Sequence, residues 1–194
     1  MTLPKDFRWK QIRELGAGGQ ATVFEVEDAA KILPGKYALK PLKTGASHQA
    51  YERFYREIGA VEALHHPYII RIIERSKPED DFHYYVMEFI NGARTLKSLL
   101  NTKGNPFHRE ALKALRLFMQ LVEVVEATQK AGIVHRDLSP ANVLILPDNS
   151  IKVIDLGICQ IEGDTTITLV DEGLGTRNYA PPECESGVGG SISF

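Results

Sequence analysis

The densest run of chemically capable side chains in this sequence is Ile133-Val134-His135-Arg136-Asp137-Leu138-Ser139-Pro140-Ala141-Asn142-Val143-Leu144. Asp137 can accept or orient a hydroxyl proton, and the amide oxygen of Asn142 suits a hard cation. Asp155 follows in Ile154-Asp155-Leu156-Gly157. A carboxylate and an amide oxygen at the two ends of one hairpin can converge on magnesium, which takes oxygen ligands and few of them from protein. Far upstream, Gly16-Ala17-Gly18-Gly19-Gln20-Ala21-Thr22-Val23 is rich in glycine. Missing side chains let backbone N–H groups approach phosphate oxygens closely. A flexible hairpin is the plainer reading of such a loop, and a dinucleotide fold would need a helix directly after it. Lys40 ends Tyr37-Ala38-Leu39-Lys40 and could be a simple exposed strand end. If the next helix packs on the sheet, Glu57 meets Lys40 and holds it in place for phosphate contact.

The elements that must position these groups follow from pattern. Trp9–Leu15 and Thr22–Val26 read as the strands of a hairpin around the glycines, and Lys36–Lys40 as a third strand after the Pro34-Gly35 turn. Alternation puts Ala38 and Lys40 on one face of that strand. Tyr51, Phe54, Ile58 and Val61 recur every three or four residues and predict a helix over 49–64. Ile69–Arg75 and His83–Phe89 read as strands, broken by Asn91-Gly92. A helix is predicted over 108–130, with Leu112, Leu115, Phe118, Val122 and Val125 as one apolar stripe and Gly132 ending it. Val143–Leu146 and Ile151–Ile154 flank the hairpin signal Pro147-Asp148-Asn149-Ser150. A β-rich front and a helical rear predict two lobes joined near residues 88–94, with a ligand cleft between them.

Composition narrows the class. The 194 residues are 43% hydrophobic and 25% charged, as in ordinary soluble globular chains. A net charge of −2 without a basic block argues against nucleic acid as a partner. Two cysteines, Cys159 and Cys184, point to a reducing compartment and not to a disulfide scaffold. Cys159 reads as a small buried hydrophobe, a redox role being the alternative. Met1 to Trp9 lacks the apolar run of a signal peptide, and no stretch reaches the ~20 apolar residues of a membrane span. A cytoplasmic protein is expected. His65-His66-Pro67 reads as a turn, since adjacent histidines do not share a face, and Glu79-Asp80-Asp81 as a solvated loop.

Taken together, these motifs resemble those of the eukaryotic-type protein kinases. The resemblance rests on the glycine loop, with Ala21 at the usual third glycine, and on Lys40 with Glu57. It extends through His135-Arg136-Asp137 with Asn142, and Asp155-Leu156-Gly157 with leucine for the usual phenylalanine. Pro181-Pro182-Glu183 completes it, with proline for the usual alanine. It implies an α+β, two-lobed fold over 9–194, with a β-rich N-lobe of one helix (9–90) and a partial, mainly helical C-lobe (91–194). It implies ATP and magnesium as cofactors and a protein serine or threonine as acceptor. Asp137 would be the catalytic base, Asn142 and Asp155 the magnesium ligands, and Lys40 the contact to the inner phosphates. Leu15, Gly16, Ala17, Gly18, Gly19, Gln20 and Ala21 would cover the nucleotide. Val23, Ala38 and Leu144 would sandwich the adenine, with Met87 behind it and Glu88 and Ile90 offering backbone groups. Val61, Ile72, His135 and Leu156 would stack as a column aligning the lobes.

Gly175-Thr176 ahead of Pro181-Pro182-Glu183 resembles the substrate-positioning loop of serine/threonine kinases. Arg136 implies control through the activation segment, with Asp171 or Glu172 as a permanent charge and Thr165, Thr166 and Thr168 as phosphosites. Ser139 stands where such kinases usually carry a lysine that touches the terminal phosphate, which implies lowered or differently compensated activity. The kinase pattern continues beyond Glu183 with helices that this sequence does not show. A truncated chain that exposes apolar surface on helix 108–130 is therefore expected. A pseudokinase or ATP-binding scaffold and a small-molecule phosphotransferase are the alternatives.

Overall fold

A computed structural model describes residues 3–17, 22–103, 107, 110–134, 138–155 and 160–161. The chain divides into two compact units, 1–62 with 70–91 and 63–69 with 92–194.

The first unit is a five-stranded sheet with one helix. Its strands are β1 (Trp9–Ala17), β2 (Thr22–Asp28), β3 (Lys36–Pro41), β4 (Ile72–Arg75) and β5 (Tyr84–Glu88), ordered β1-β2-β3-β5-β4. All neighbours are antiparallel. Helix α1 (His48–Ala63) lies between β3 and β4 in the chain. The register sorts side chains into two faces. Phe24 pairs with Leu39, and Leu39 with Val86. Together with Trp9 and Val26 they form a core that is essentially closed to solvent, capped by Phe7, Tyr37, Ile73 and Tyr84.

The loops of this unit are tied by side chains. Asp28 accepts backbone N–H groups from Ala30, Ile32 and Leu33 and pairs with Arg8. These bonds, that of Arg8 foremost, hold its carboxyl well below the usual carboxylate range. Arg8 also pairs with Glu74, whose Oε1 receives Trp9 Nε1–H (2.7 Å) and the Tyr84 hydroxyl (2.8 Å). At the amino-terminal half of α1, the Tyr51 hydroxyl donates to Pro78 O at 2.8 Å, and the Tyr55 hydroxyl to Lys77 O at 2.8 Å. The acidic run at 79–81 lies in this connection, and Asp80 caps Lys77 N–H at 2.7 Å.

The second unit contains β6 (Arg94–Thr95), α2 (Leu96–Leu100), α3 (Ala111–Lys130), β7 (Ile133–Val134), β8 (Val143–Ile145), β9 (Ile151–Val153) and β10 (Gln160–Ile161). β6, β8 and β9 form an antiparallel sheet, and β10 pairs with β7. Thr95 caps α2 by accepting Ser98 N–H. Asn149, at φ 65°, turns the β8–β9 hairpin while Asp148 receives both Ser150 donors. Gly132, at φ 68°, ends α3, a left-handed position that suits glycine.

Two expectations are corrected. The strand expected at Ile69–Arg75 begins at Ile72. Residues 63–69 belong to the second unit, where Val153 N–H donates to Tyr68 O at 2.8 Å and Ile69 bridges Val153 in parallel. The continuous apolar run Tyr68-Ile69-Ile70 hides that change of partner. His66 makes the turn there, its Nδ1 accepting Tyr68 N–H. The helix expected from 108 starts at Ala111. It buries Leu117, Val124 and Thr128, and Gln120 Oε1 accepts Ile151 N–H at 2.9 Å. The apolar stripe lies on another side and is exposed, Leu112 by 75% and Phe118 by 62%. Exposure of this surface is what the sequence predicts, while the line that faces the sheet was not named by it.

Candidate active site

In the first unit, Lys40 stands directly opposite Tyr85 in the β3–β5 register, and Ala38 opposite Met87. Cross-strand partners share a face, so these four residues form one row on the side away from the Leu39 core. Helix α1 packs on that side, with the Phe54 ring 5.5 Å from the Tyr85 ring. Three residues on, the next inward position is Glu57, and it is buried. Lys40 Nζ donates to Glu57 Oε1 at 3.1 Å. The Tyr85 hydroxyl donates to the same oxygen at 2.8 Å. Lys40 Nζ also sits 5.6 Å from the centre of the Tyr85 ring. The Lys40 and Glu57 side chains are 15% and 11% exposed. Charges this shielded are tolerable when paired and hydrogen-bonded, and the pairing stops the lysine stem from swinging.

Other expected nucleotide-binding positions of the first unit are on the same sheet or next to it. β1 and β2 are in register up to Gly16 opposite Val23 and Ala17 opposite Thr22. Gly18, Gly19, Gln20 and Ala21, which join them, lie outside the described residues. Gly16 is exposed and a Cβ there would meet nothing within 4 Å, so packing does not demand glycine. Leu15 is at the surface, Val23 is half-buried, and Ala38 and Met87 are buried. Ala38's other cross-strand partner, Glu25, is closed to solvent and paired with Lys36 and Arg13. Those cations, Lys36 first, depress its carboxyl against the opposing effect of burial. Glu88 N–H donates to Arg71 O at 3.0 Å, and its carboxylate accepts Arg71 N–H at 2.9 Å. Ile90 lies just past β5 and is half-buried.

In the second unit, Asn142 precedes β8 and Asp155 follows β9. Val143 pairs with Val153, and Ile154 N–H donates to Asn142 O at 3.0 Å. The amide residue is therefore opposite the neighbour of the carboxylate residue, at the open end of one hairpin. Among the described residues no three His, Cys, Asp or Glu side chains cluster. Magnesium needs no such cluster, because one or two protein oxygens beside substrate phosphates are enough. An amide and a carboxylate at adjacent positions of this hairpin fit that ion. Leu144 is half-buried and pairs with Thr95 and Lys152. Asn142 N–H closes a turn onto Ser139 O at 2.9 Å. Ser139 itself is 3% exposed, and its hydroxyl has no hydrogen-bond partner among the described residues.

Asp137, Arg136 and His135 lie outside the described residues, as do Leu156, Cys159, the activation-segment positions and Pro181-Pro182-Glu183. Of the expected column, Val61 is buried and Ile72 is half-buried opposite Met87.

Sequence reading missed Tyr85. The adjacent Tyr84 and Tyr85 are indistinguishable by type, and the β3–β5 register is what assigns Tyr85 to the Lys40 face. Counting back by two from Met87 would have found it.

Comparison with known proteins identifies the family. Residues 9–189 match the family described as the protein kinase domain. Curated relatives include serine/threonine-protein kinase PrkC of Bacillus subtilis (strain 168), 36% identical over 178 residues, which are 91% of this chain and 26% of the relative. A probable serine/threonine-protein kinase PknB of Lactococcus lactis is 32% identical over 187 residues, 95% of this chain and 29% of the relative. Serine/threonine-protein kinase PknB of Mycolicibacterium smegmatis is 31% identical over 192 residues, 94% of this chain and 30% of the relative. The chain thus spans between a quarter and a third of the length of these relatives. With a family match from the first strand to beyond the Pro-Pro-Glu motif, the chain belongs to the protein kinase domain family.

Proposed function

We propose that this chain is a protein serine/threonine kinase domain that transfers the terminal phosphoryl group of magnesium-ATP to a serine or threonine hydroxyl. The observation that carries the reading is the shielded Lys40–Glu57 pair, a cation fixed on the same sheet face as Ala38 and Met87. In this reading residues 9–90 form the nucleotide-holding lobe and 91–194 carry the acceptor side. Lys40 holds inner phosphate oxygens, with Glu57 fixing its position. Asn142 and Asp155 hold magnesium, which when bound neutralises charge on the phosphates. Asp137 orients the acceptor hydroxyl and receives its proton. Val23, Ala38, Met87 and Leu144 supply apolar surface for the adenine, and the backbones of Glu88 and Ile90 supply its polar contacts. The serine/threonine acceptor class is supported by Gly175-Thr176 and by the names of the relatives.

The site of action is proposed to be the cytoplasm. Among the described residues no helix is long and apolar enough to cross a membrane.

Transfer of label from γ-labelled ATP to a generic protein substrate tests the reading. Wild type is expected to label serine or threonine, and Asp137→Ala to lose the activity. Equal labelling by both would refute it. One observation favours a second reading, a nucleotide-binding scaffold with slow or absent transfer. The buried Ser139 supplies no charge where a phosphate-contacting lysine is usual. Nucleotide binding by wild type without label transfer would favour that reading.

A further inference from the structure

We propose that Tyr85 is a positioning residue for the lysine–glutamate pair, its hydroxyl fixing the Glu57 carboxylate that in turn sets where Lys40 reaches. The proposal rests on the kinase reading above and adds to it a residue that the motif pattern does not contain.

Tyr85 is locked to Lys40 as a cross-strand neighbour on β3 and β5. Glu57 is on a different element, α1, joined to the sheet by packing and by these polar contacts. A helix lying on a sheet can shift or rotate by a small amount more readily than two paired strands can slide. Glu57 Oε1 receives Lys40 Nζ at 3.1 Å and the Tyr85 hydroxyl at 2.8 Å. The tyrosine contact is the shorter, and its donor is on a stiff ring that neighbours both Phe54 and the Lys40 ammonium. Tyr85 is 2% exposed, so water does not readily replace its hydroxyl. The lysine bond links the carboxylate to a long, flexible side chain. The second bond ties it to the sheet, so α1 and β3 are registered through one oxygen. A bond from a buried hydroxyl to a charged acceptor belongs to the stronger class of protein hydrogen bonds.

Tyr84 provides the control. It is the next residue, and its hydroxyl also donates to a glutamate oxygen at 2.8 Å, but on the opposite face. The same chemical change, loss of one hydroxyl, can therefore be made on either side of the sheet.

The test compares wild type, Tyr85→Phe, Glu57→Gln, the double variant and Tyr84→Phe in the full chain. The readouts are kcat and KM for magnesium-ATP, affinity for a fluorescent ATP analogue with magnesium, and thermal unfolding. Tyr85→Phe is expected to lower kcat/KM for magnesium-ATP on the order of tenfold, while Tyr84→Phe leaves it at the wild-type value. In the Glu57→Gln background, Tyr85→Phe should change kcat/KM by less than about twofold, because its acceptor charge is already gone. Wild-type kinetics for Tyr85→Phe would overturn the proposal. So would an equal loss in both backgrounds, which would mean that the hydroxyl serves packing alone. If Tyr85→Phe does not fold, Tyr85→Leu enters the same cycle with the same expectation. A wild-type chain that binds the analogue but transfers no phosphate refutes the kinase reading instead. The analogue affinities of wild type, Tyr85→Phe, Glu57→Gln and the double variant then decide on Tyr85, by the same non-additivity.

Discussion

Tyr84 and Tyr85 are adjacent, and each gives its hydroxyl to a glutamate at 2.8 Å, yet they serve two different regions. On the Tyr84 side the acceptor, Glu74, is shared with Trp9 and Arg8, and Arg8 leads on to Asp28 and the β2–β3 connection. Burial, with help from Glu74, raises the Tyr84 hydroxyl pKa well above its ordinary value, so it stays protonated and able to donate. On the Tyr85 side the acceptor, Glu57, is shared with Lys40. The first network joins backbone segments to one another. The second aims a single cation. The same hydrogen bond becomes architecture or chemistry according to the third member that it holds.

Substitutions at neighbouring positions can break or sharpen this contrast. Leu39 and Lys40 are consecutive and face opposite sides, and Leu39 is fully buried. Leu39→Ala should cost about 2–5 kcal/mol of stability by leaving a cavity in the Leu39 core, measured by urea unfolding. Folded material should keep its magnesium-ATP KM. Lys40→Met is expected to lower turnover by on the order of 10²–10³, the loss typical of one charge-stabilising donor. That rate is to be measured on protein whose circular dichroism matches wild type. If Leu39→Ala changed KM as much as Lys40→Met does, the separation of faces would be wrong.

On the Tyr84 side, Asp28 should make stability sensitive to acid. The carboxyl of Asp28 has a folded pKa below its unfolded value. The unfolded chain therefore binds the proton first, and stability rises with pH through that interval. The contribution is complete above the unfolded value near 4 and is lost as pH falls from there through the folded value. Asp28→Asn should flatten the acid limb of a plot of urea midpoint against pH and lower the midpoint at neutral pH. An unchanged limb would remove Asp28 from the account. The smallest effect is expected for Tyr84→Phe, a loss of about 1 kcal/mol in unfolding free energy with no kinetic change.

How much of this was legible beforehand differs by residue. The row of Ala38 and Lys40 was, because strand alternation is a two-residue rule that needs no partner. The helix carrying Glu57 was, because Phe54, Ile58 and Val61 repeat at helical spacing, and its docking on the sheet brings Glu57 to Lys40. The adjacency of Asn142 and Asp155 was legible through the turn chemistry of Pro147-Asp148-Asn149-Ser150. Tyr85 was not, because its role depends on how β5 registers against β3. The buried line of α3 was not either: periodicity shows that a helix has an apolar stripe, but not which side a neighbour covers. In this case the covered line, Leu117, Val124 and Thr128, is the less apolar one. The start of β4 failed for a third reason, since Ile69 and Ile70 look alike and belong to different units.

That last boundary bears on the order in which the chain is made. Residues 63–69 are flanked on both sides by sequence of the first unit but belong to the second. Their partner strand, β9, comes much later, and Lys152, which donates to Ile69 O, lies 83 residues beyond it. At the usual pace of translation, that interval lasts roughly 4–17 s. During it, the sheet of the first unit can assemble on the ribosome while a seven-residue insert within its sequence still waits for its partner.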